Sequence, residues 1–129
     1  MKQTVIVGLV ALIVGLGIGF LGGCITGNVV SEVESAGVVT AMEDFIQTKM
    51  AREGGTYSVE GRATQFDYLH DGISLKSDGL YVSCADFKDG KDVIDVDYYV
   101  KVENGQYEVV KEVFHKLNGE KVNSVMWQQ

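Results

Sequence analysis

Residues 94–102 read IDVDYYVKV, and this stretch decides the fold of the charged part of the chain. Apolar and polar side chains alternate along it at two-residue spacing. One face would carry Ile94, Val96, Tyr98, Val100 and Val102, and the other Asp95, Asp97, Tyr99 and Lys101. Because successive strand residues point to opposite faces, the pattern predicts an antiparallel strand with one buried face and one solvent face.

Short-turn signals recur on both sides of this strand. They are Asp71-Gly72, Asp78-Gly79, Asp89-Gly90, Asn104-Gly105 and Asn118-Gly119. Such dipeptides between alternating segments indicate β-hairpins, so we expect an antiparallel meander. One strand earlier, Leu80, Val82 and Cys84 form a matching apolar face. We therefore expect Cys84 to be buried and structural, because a free cysteine behaves as a small hydrophobe.

The strand after Asn104-Gly105 mixes two alternation patterns. Tyr107 and Val109 share one parity, whereas Val110 and Phe114 share the other. A bulge near Val110 would reconcile them, because it inserts one extra residue into a strand. A last strand is expected over residues 121–127, with Trp127 buried against the sheet edge or the helix.

A helix is predicted before the strands, over residues 31–53. Ser31 and Glu34 have the S-x-x-E spacing of a capping box, and Gly54-Gly55 supplies the stop. Apolar residues recur at three- and four-residue steps, which predicts a buried stripe of Val38, Ala41, Met42, Phe45, Ile46 and Met50.

One long helix followed by antiparallel strands predicts an α+β fold in which the helix packs on a curled β-meander. Cystatin-like and NTF2-like rolls have the same order of elements, an analogy at fold level alone. Two parts are expected: a hydrophobic anchor or signal over residues 1–30 and one small domain over residues 31–129.

The first thirty residues are apolar. Lys2 is the only charge before Ser31, so the net charge of −7 for the whole chain becomes −8 beyond the anchor. Residues 5–20 read VIVGLVALIVGLGIGF, which with its flanks is long enough to cross a bilayer. The lysine before this run predicts a cytoplasmic N-terminus and an extracytoplasmic domain. The acidity of that domain argues against nucleic acid as a partner.

The end of this segment reads Leu21-Gly22-Gly23-Cys24 after a short positive start and an apolar stretch. It resembles the lipobox of bacterial and archaeal lipoproteins. The resemblance covers residues 1–24 and implies cleavage after Gly23 and a lipid on Cys24, which would anchor the domain through acyl chains.

The alternative is a retained transmembrane helix. Small residues recur in it every four positions, at Ala11, Gly15, Gly19, Gly23 and Gly27. A row of this kind allows close helix packing in lipid, so it would make the anchor an oligomerisation surface. Cleavage at Cys24 would remove most of the row.

The sequence predicts no catalytic residue, no cofactor and no metal site. Asp86, Asp89, Asp92, Asp95 and Asp97 surround one predicted turn, and we interpret them as a solvated hairpin rather than a calcium loop. Cys84, Asp86 and His115 could form a nucleophile, acid and base, but nothing in the spacing brings His115 to the other two. Neither His70 nor His115 has a cysteine or carboxylate at zinc-ligand spacing.

Three functional classes follow. The favoured one is a non-catalytic binding or accessory domain held at the membrane, with other envelope proteins or itself as partner. The second is a self-assembling envelope or filament subunit packed through its anchor. The third is an NTF2-like small-molecule pocket or enzyme, for which Asp86, Tyr98 and His115 are the candidate inward-facing polar residues.

Overall fold

The computed structural model describes residues 30–129, which begin with a capped helix, α1 (Glu32–Arg52). The Ser31 hydroxyl accepts from the Glu34 backbone N–H, and the Glu34 carboxylate accepts from the Ser31 N–H, 3.1 Å away. Both bonds of the predicted capping box are therefore present. Glu53 ends the helix, and the Gly55 N–H closes the last turn on the Met50 carbonyl. No helix between residues 30 and 129 is long and apolar enough to cross a membrane.

Seven strands follow the helix and form one antiparallel sheet. They are β1 (Tyr57–Val59), β2 (Arg62–Leu69), β3 (Ser74–Leu75), β4 (Tyr81–Asp89), β5 (Asp92–Glu103), β6 (Gln106–Leu117) and β7 (Glu120–Gln128). Their order across the sheet is β1-β2-β4-β5-β6-β7, and the short β3 also pairs with β4. The fold is therefore α+β, with one helix packed on a curled antiparallel sheet, as predicted.

The core lies between α1 and the concave face of the sheet. The helix contributes Val38, Met42 and Ile46, all almost fully buried, as the predicted stripe requires. Strand β5 contributes Ile94, Val96, Tyr98 and Val100, so its predicted buried face is confirmed at these four residues, whereas Val102, near the end of the strand, is 36% exposed. The opposite face of β4, β5 and β6 lies outside this core, and we call it the outer face.

Three of the predicted turns form tight hairpins, at Asp89-Gly90, Asn104-Gly105 and Asn118-Gly119. In each, the residues on either side of two loop positions are paired, as Asp89 is with Asp92. The predicted bulge is also confirmed, because the partners of Tyr99 and Val100 are Lys111 and Val109, which leaves Val110 as the extra residue.

Two predictions about single residues are wrong. Cys84 does not belong to the core face of β4, which is formed by Tyr81, Ser83, Ala85 and Phe87. It lies on the outer face because it pairs directly with Asp97, and directly paired strand residues share a face. Trp127 packs on Phe45 of the helix, with ring centroids 5.4 Å apart, but it remains 39% exposed because β7 is an edge strand.

Candidate functional site

A group of metal-ligating side chains lies on the outer face of the sheet. It contains two histidines, one cysteine and three aspartates: His70, Cys84, Asp86, Asp95, Asp97 and His115. We call this group the outer-face cluster. Its members come from β4, β5, β6 and the segment that follows β2, so residues distant in the sequence meet here.

The tight β4–β5 hairpin aligns the four members on these two strands. With Asp89 opposite Asp92, the pairing brings Asp86 opposite Asp95 and Cys84 opposite Asp97. Side chains directly opposite each other in an antiparallel pair have Cβ atoms about 4.5–5.5 Å apart. Two carboxylates therefore face each other across the strands, and a thiol faces a third.

A second bulge in β6 positions His115. The partners of Asp95 and Val96 are Lys116 and Phe114, so His115 is the extra residue between them. A bulge redirects the side chain of its inserted residue. The His115 Nδ1 atom lies 3.3 Å from Asp95 Oδ2 and 3.3 Å from Asp97 Oδ1.

Two hydrogen bonds tie His70 to β4. Its backbone N–H donates to the Cys84 carbonyl at 2.9 Å, and its Nε2 lies 2.7 Å from Asp86 Oδ1. The ring also stacks on Tyr68, with centroids 5.1 Å apart. Because the ring is restrained on several sides, His70 is presented to the cluster in a defined orientation.

Burial and neighbouring negative charges raise pKa values within the cluster. Burial, followed by the charges of Asp95 and Asp97, raises the pKa of the Cys84 thiol to about 12. Burial also raises the pKa of Asp97, and the nearby His115 offsets this only in part. Like charges directly opposite each other on neighbouring strands destabilise a sheet. The cluster would therefore gain stability from a bound cation.

Two buried atoms of the cluster have unused hydrogen-bonding capacity. Among residues 30–129, Asp95 Oδ1 and His115 Nδ1 are the buried side-chain polar atoms that form no hydrogen bond. His115 Nδ1 is within ion-pair distance of the Asp95 and Asp97 carboxylates, but its N–H does not point at either oxygen well enough for a hydrogen bond. Buried polar atoms are normally satisfied, and a cation bound between these side chains would satisfy both atoms.

The ligand types and distances fit a transition metal. One ligand atom each from Asp95, Asp97 and His115 lie within 4.8 Å of one another. In a tetrahedral zinc site with bonds of about 2.0–2.1 Å, neighbouring ligand atoms are about 3.3 Å apart, and His115 has this separation from both aspartates. Imidazole and thiolate ligands favour zinc or a similar ion over calcium or magnesium.

The structure divides the five aspartates predicted to form a solvated hairpin: Asp86, Asp95 and Asp97 belong to the outer-face cluster, whereas Asp89 and Asp92 lie at the tip of the β4–β5 hairpin. Its tip aspartates bind Arg62: the guanidinium Nε donates to Asp89 Oδ2 at 2.9 Å, and Nη2 donates to Asp92 Oδ2. Asn118 donates to the other oxygen of Asp92 at 2.9 Å. Their carboxylates are thus paired with a cation from the chain itself, and they lie apart from the outer-face cluster.

The concave side holds a second polar group, near the C-terminus of α1. Glu112 is 1% exposed; its carboxylate accepts from the Tyr57 hydroxyl and from Lys49 Nζ, the latter at 3.3 Å. The Tyr98 hydroxyl donates to the Tyr57 hydroxyl at 2.7 Å. Glu112 and Lys49 line a cleft of about 660 Å³, together with Phe45, Arg52, Glu53, Ser58, Glu60, Val125, Met126 and Trp127.

The residues proposed from sequence for an inward-facing pocket are divided between the two faces. Tyr98 is buried in the core beside Glu112, whereas Asp86 and His115 lie on the outer face. Cys84 shares that face with Asp86 and His115, as a nucleophile, acid and base would require. Sequence reasoning missed His70, Asp95 and Asp97 as site residues, and it missed Lys49, Tyr57 and Glu112 on the concave side. The lipidation candidate Cys24 and the row Ala11, Gly15, Gly19, Gly23 and Gly27 lie outside the described residues.

No family model, curated protein or solved structure matches this chain.

Proposed function

We propose that this protein is a membrane-anchored, extracytoplasmic binding domain that holds a divalent transition-metal ion, zinc foremost, in its outer-face cluster without catalysing a reaction. The observation that carries the proposal is the position of His115 Nδ1, buried without a hydrogen bond and 3.3 Å from two carboxylates. The proposal departs from our sequence-based expectation of no metal site.

The proposed location rests on the first thirty residues. An apolar run preceded by Lys2 favours a cytoplasmic start with the domain on the far side, and the lipobox-like Leu21-Gly22-Gly23-Cys24 favours a lipid anchor. The intact mass of the protein isolated from membranes tests this choice. A chain that begins at a lipid-modified Cys24 supports the lipoprotein proposal, and a chain that retains residues 1–23 supports a transmembrane helix.

The proposed fold family is a cystatin-like or NTF2-like roll. It is supported by the order of elements, with one long helix followed by a meander whose concave face the helix covers. Among residues 30–129 no helix lies on the outer face, so this part of the chain leaves the outer-face cluster open to solvent. His70 and His115 are about one-third and one-quarter exposed, respectively.

Thermal unfolding tests metal binding. The full-length chain in detergent micelles is stripped with a chelator, and its unfolding is followed by circular dichroism with added Zn²⁺, Ca²⁺ or Mg²⁺. At free Zn²⁺ of a hundred times Kd, a ligand specific to the native state stabilises it by about 2.7 kcal/mol. We therefore expect a rise in Tm of roughly 10 °C for a domain of this size. Calcium and magnesium should have little effect.

Matched variants locate the effect. His115→Gln should reduce the zinc-dependent rise, whereas Asp44→Asn, which removes an exposed charge from α1, should retain it in full. The proposal is wrong if zinc leaves the Tm of the wild-type protein unchanged, or if His115→Gln responds to zinc as strongly as Asp44→Asn does.

The cleft on the concave side favours a second candidate function, the binding of a small amphipathic molecule. It combines the buried carboxylate of Glu112 with the apolar surfaces of Phe45 and Trp127, the mixture common in ligand pockets. Trp127 is the only tryptophan, so energy transfer from it to anilinonaphthalene sulfonate reports on this cleft. Transfer that saturates, and that Val125→Lys abolishes, would support the function; no transfer would exclude this probe as a ligand.

A further inference from the structure

The outer-face cluster contains two sets of three ligands that share one residue. The first set is Asp95, Asp97 and His115, and the second is His70, Cys84 and Asp95. Within each set, one ligand atom per residue lies within 4.8 Å of the others. We propose that the cluster binds two divalent transition-metal ions, bridged by the carboxylate of Asp95. This inference rests on the proposed metal-binding function and adds a second ion with its own ligands.

Asp95 has two oxygens in different situations. Oδ2 lies 3.3 Å from His115 Nδ1, within the first set. Oδ1 is buried and has no donor in good hydrogen-bond geometry among the described residues, and the Cys84 thiol of the second set neighbours the same carboxylate. A bridging carboxylate uses one oxygen for each of two ions. If Oδ2 binds the ion of the first set, Oδ1 remains available for a second ion. Two-metal sites of this kind hold their ions about 3.5–4 Å apart.

A single ion fits the distances less well. Zinc binds oxygen and nitrogen at about 2.0–2.2 Å and sulfur at about 2.3 Å, so the ligands of one ion lie at most about 4.6 Å apart. The five candidate ligands form two sets whose atoms lie within 4.8 Å of one another, and they do not form a single set of five. An ion held by His115 and Asp97 would therefore leave His70 and Cys84 to a neighbouring ion.

The charge of the cluster favours bound cations. Asp86, Asp95 and Asp97 supply three carboxylates, and Lys116 offsets only part of the negative charge near Asp97. Asp86 acts as a positioning residue, because its carboxylate holds the ring of His70 through the 2.7 Å hydrogen bond.

Metal stoichiometry tests the inference, with the full-length chain in detergent micelles under reducing conditions. Zn²⁺ bound per chain is counted after removal of free metal, and Co²⁺ is used as a spectroscopic probe because a Co²⁺–thiolate bond gives a charge-transfer absorption. We expect two Zn²⁺ per wild-type chain, one in Cys84→Ser and one in His115→Gln. The Co²⁺–thiolate band should persist in His115→Gln and vanish in Cys84→Ser. Asp95→Asn should weaken the binding of both ions.

The outcomes separate the two proposals. If the wild-type protein binds one Zn²⁺ and the Cys84→Ser variant also binds one, the proposal of a second ion is wrong and the metal-binding function stands. If the wild-type protein binds one Zn²⁺ and both Cys84→Ser and His115→Gln lose it, the proposal of a second ion is also wrong, because a single ion would then be held by both sets. The absence of zinc binding overturns both proposals. The thermal unfolding of each metal-free variant confirms that it is folded, and the Asp44→Asn variant should bind as the wild-type protein does.

Discussion

The ring of Tyr107 lies directly against the backbone of Gly37, so that a Cβ atom at this position would be 2.4 Å from Tyr107 Cε1. Gly37 is inside α1, where glycine is less favourable than alanine, and Tyr107 is on β6. The absence of a side chain at Gly37 therefore lets the helix approach the sheet closely at this point.

This contact predicts that Gly37→Ala destabilises the protein when Tyr107 is present and stabilises it when Tyr107 is replaced by alanine. In the wild-type background the new methyl group overlaps the ring, and overpacking costs about 1–3 kcal/mol, which outweighs the helix-propensity gain of about 1 kcal/mol. In a Tyr107→Ala background the same change should stabilise the protein by up to about 1 kcal/mol. Urea unfolding followed by circular dichroism measures both. Equal stabilisation in the two backgrounds would contradict the close packing.

Tyr57→Phe should lower the free energy of unfolding by about 1–3 kcal/mol, because the hydroxyl both donates to Glu112 and accepts from Tyr98. The phenyl ring would keep its stacking on Phe87, with centroids 4.2 Å apart, so the change removes little besides the hydroxyl. Tyr99→Phe, on the outer face, is the matched control and should cost less than about 0.5 kcal/mol. Similar losses in the two variants would show that the buried network contributes nothing specific.

The buried Glu112 carboxyl predicts that the free energy of unfolding depends on pH. Burial raises its pKa above the ordinary value of 4.5, although the Tyr57 hydroxyl and Lys49 act in the opposite direction. A group whose pKa is raised on folding contributes stability that is complete below its unfolded pKa and is lost as the pH rises through its folded pKa. Between about pH 4 and about pH 7, wild-type protein should therefore lose stability relative to Glu112→Gln.

Urea unfolding at the two pH values measures this difference, with Glu108→Gln, an exposed position on the same strand, as the control. A difference between wild type and Glu112→Gln that is constant with pH, or that changes in the opposite direction, would refute the assignment.

Millimolar calcium should leave the Tm almost unchanged. The aspartates at the β4–β5 turn already bind Arg62, so calcium would have to displace a guanidinium from both Asp89 and Asp92. A ligand stabilises the folded state only in proportion to ln(1 + [L]/Kd), which is negligible for so weak a site. A rise of several degrees that Asp89→Asn and Asp92→Asn together remove would make this turn a calcium site.

Much of the outer-face cluster was within reach of sequence reasoning. The Asp89-Gly90 signal predicts a hairpin, and a two-residue turn between Asp89 and Asp92 pairs Cys84 with Asp97 when the residues are counted outward. The shared parity of Cys84 with Leu80 and Val82 instead predicts that Cys84 lies in the core. The larger side chains of Tyr81 and Phe87 fill the core of this strand, and burying these aromatic groups decides which face turns inward.

The sequence by itself determined the order of elements: a capped amphipathic helix, then a meander with tight turns and a bulge near Val110. These features depend on local chemistry, since caps, turn dipeptides and alternation act over a few residues. The tertiary structure alone decided that His115 and His70 meet Asp95, because a second bulge in β6 and the return of the chain after β2 set their positions. The predicted bulge at Val110 turns Glu112 inward, against simple alternation from the buried Val109, but only the tertiary structure decided that its carboxylate meets Tyr57 of β1 and Lys49 of α1, because these elements lie far from β6 in the sequence.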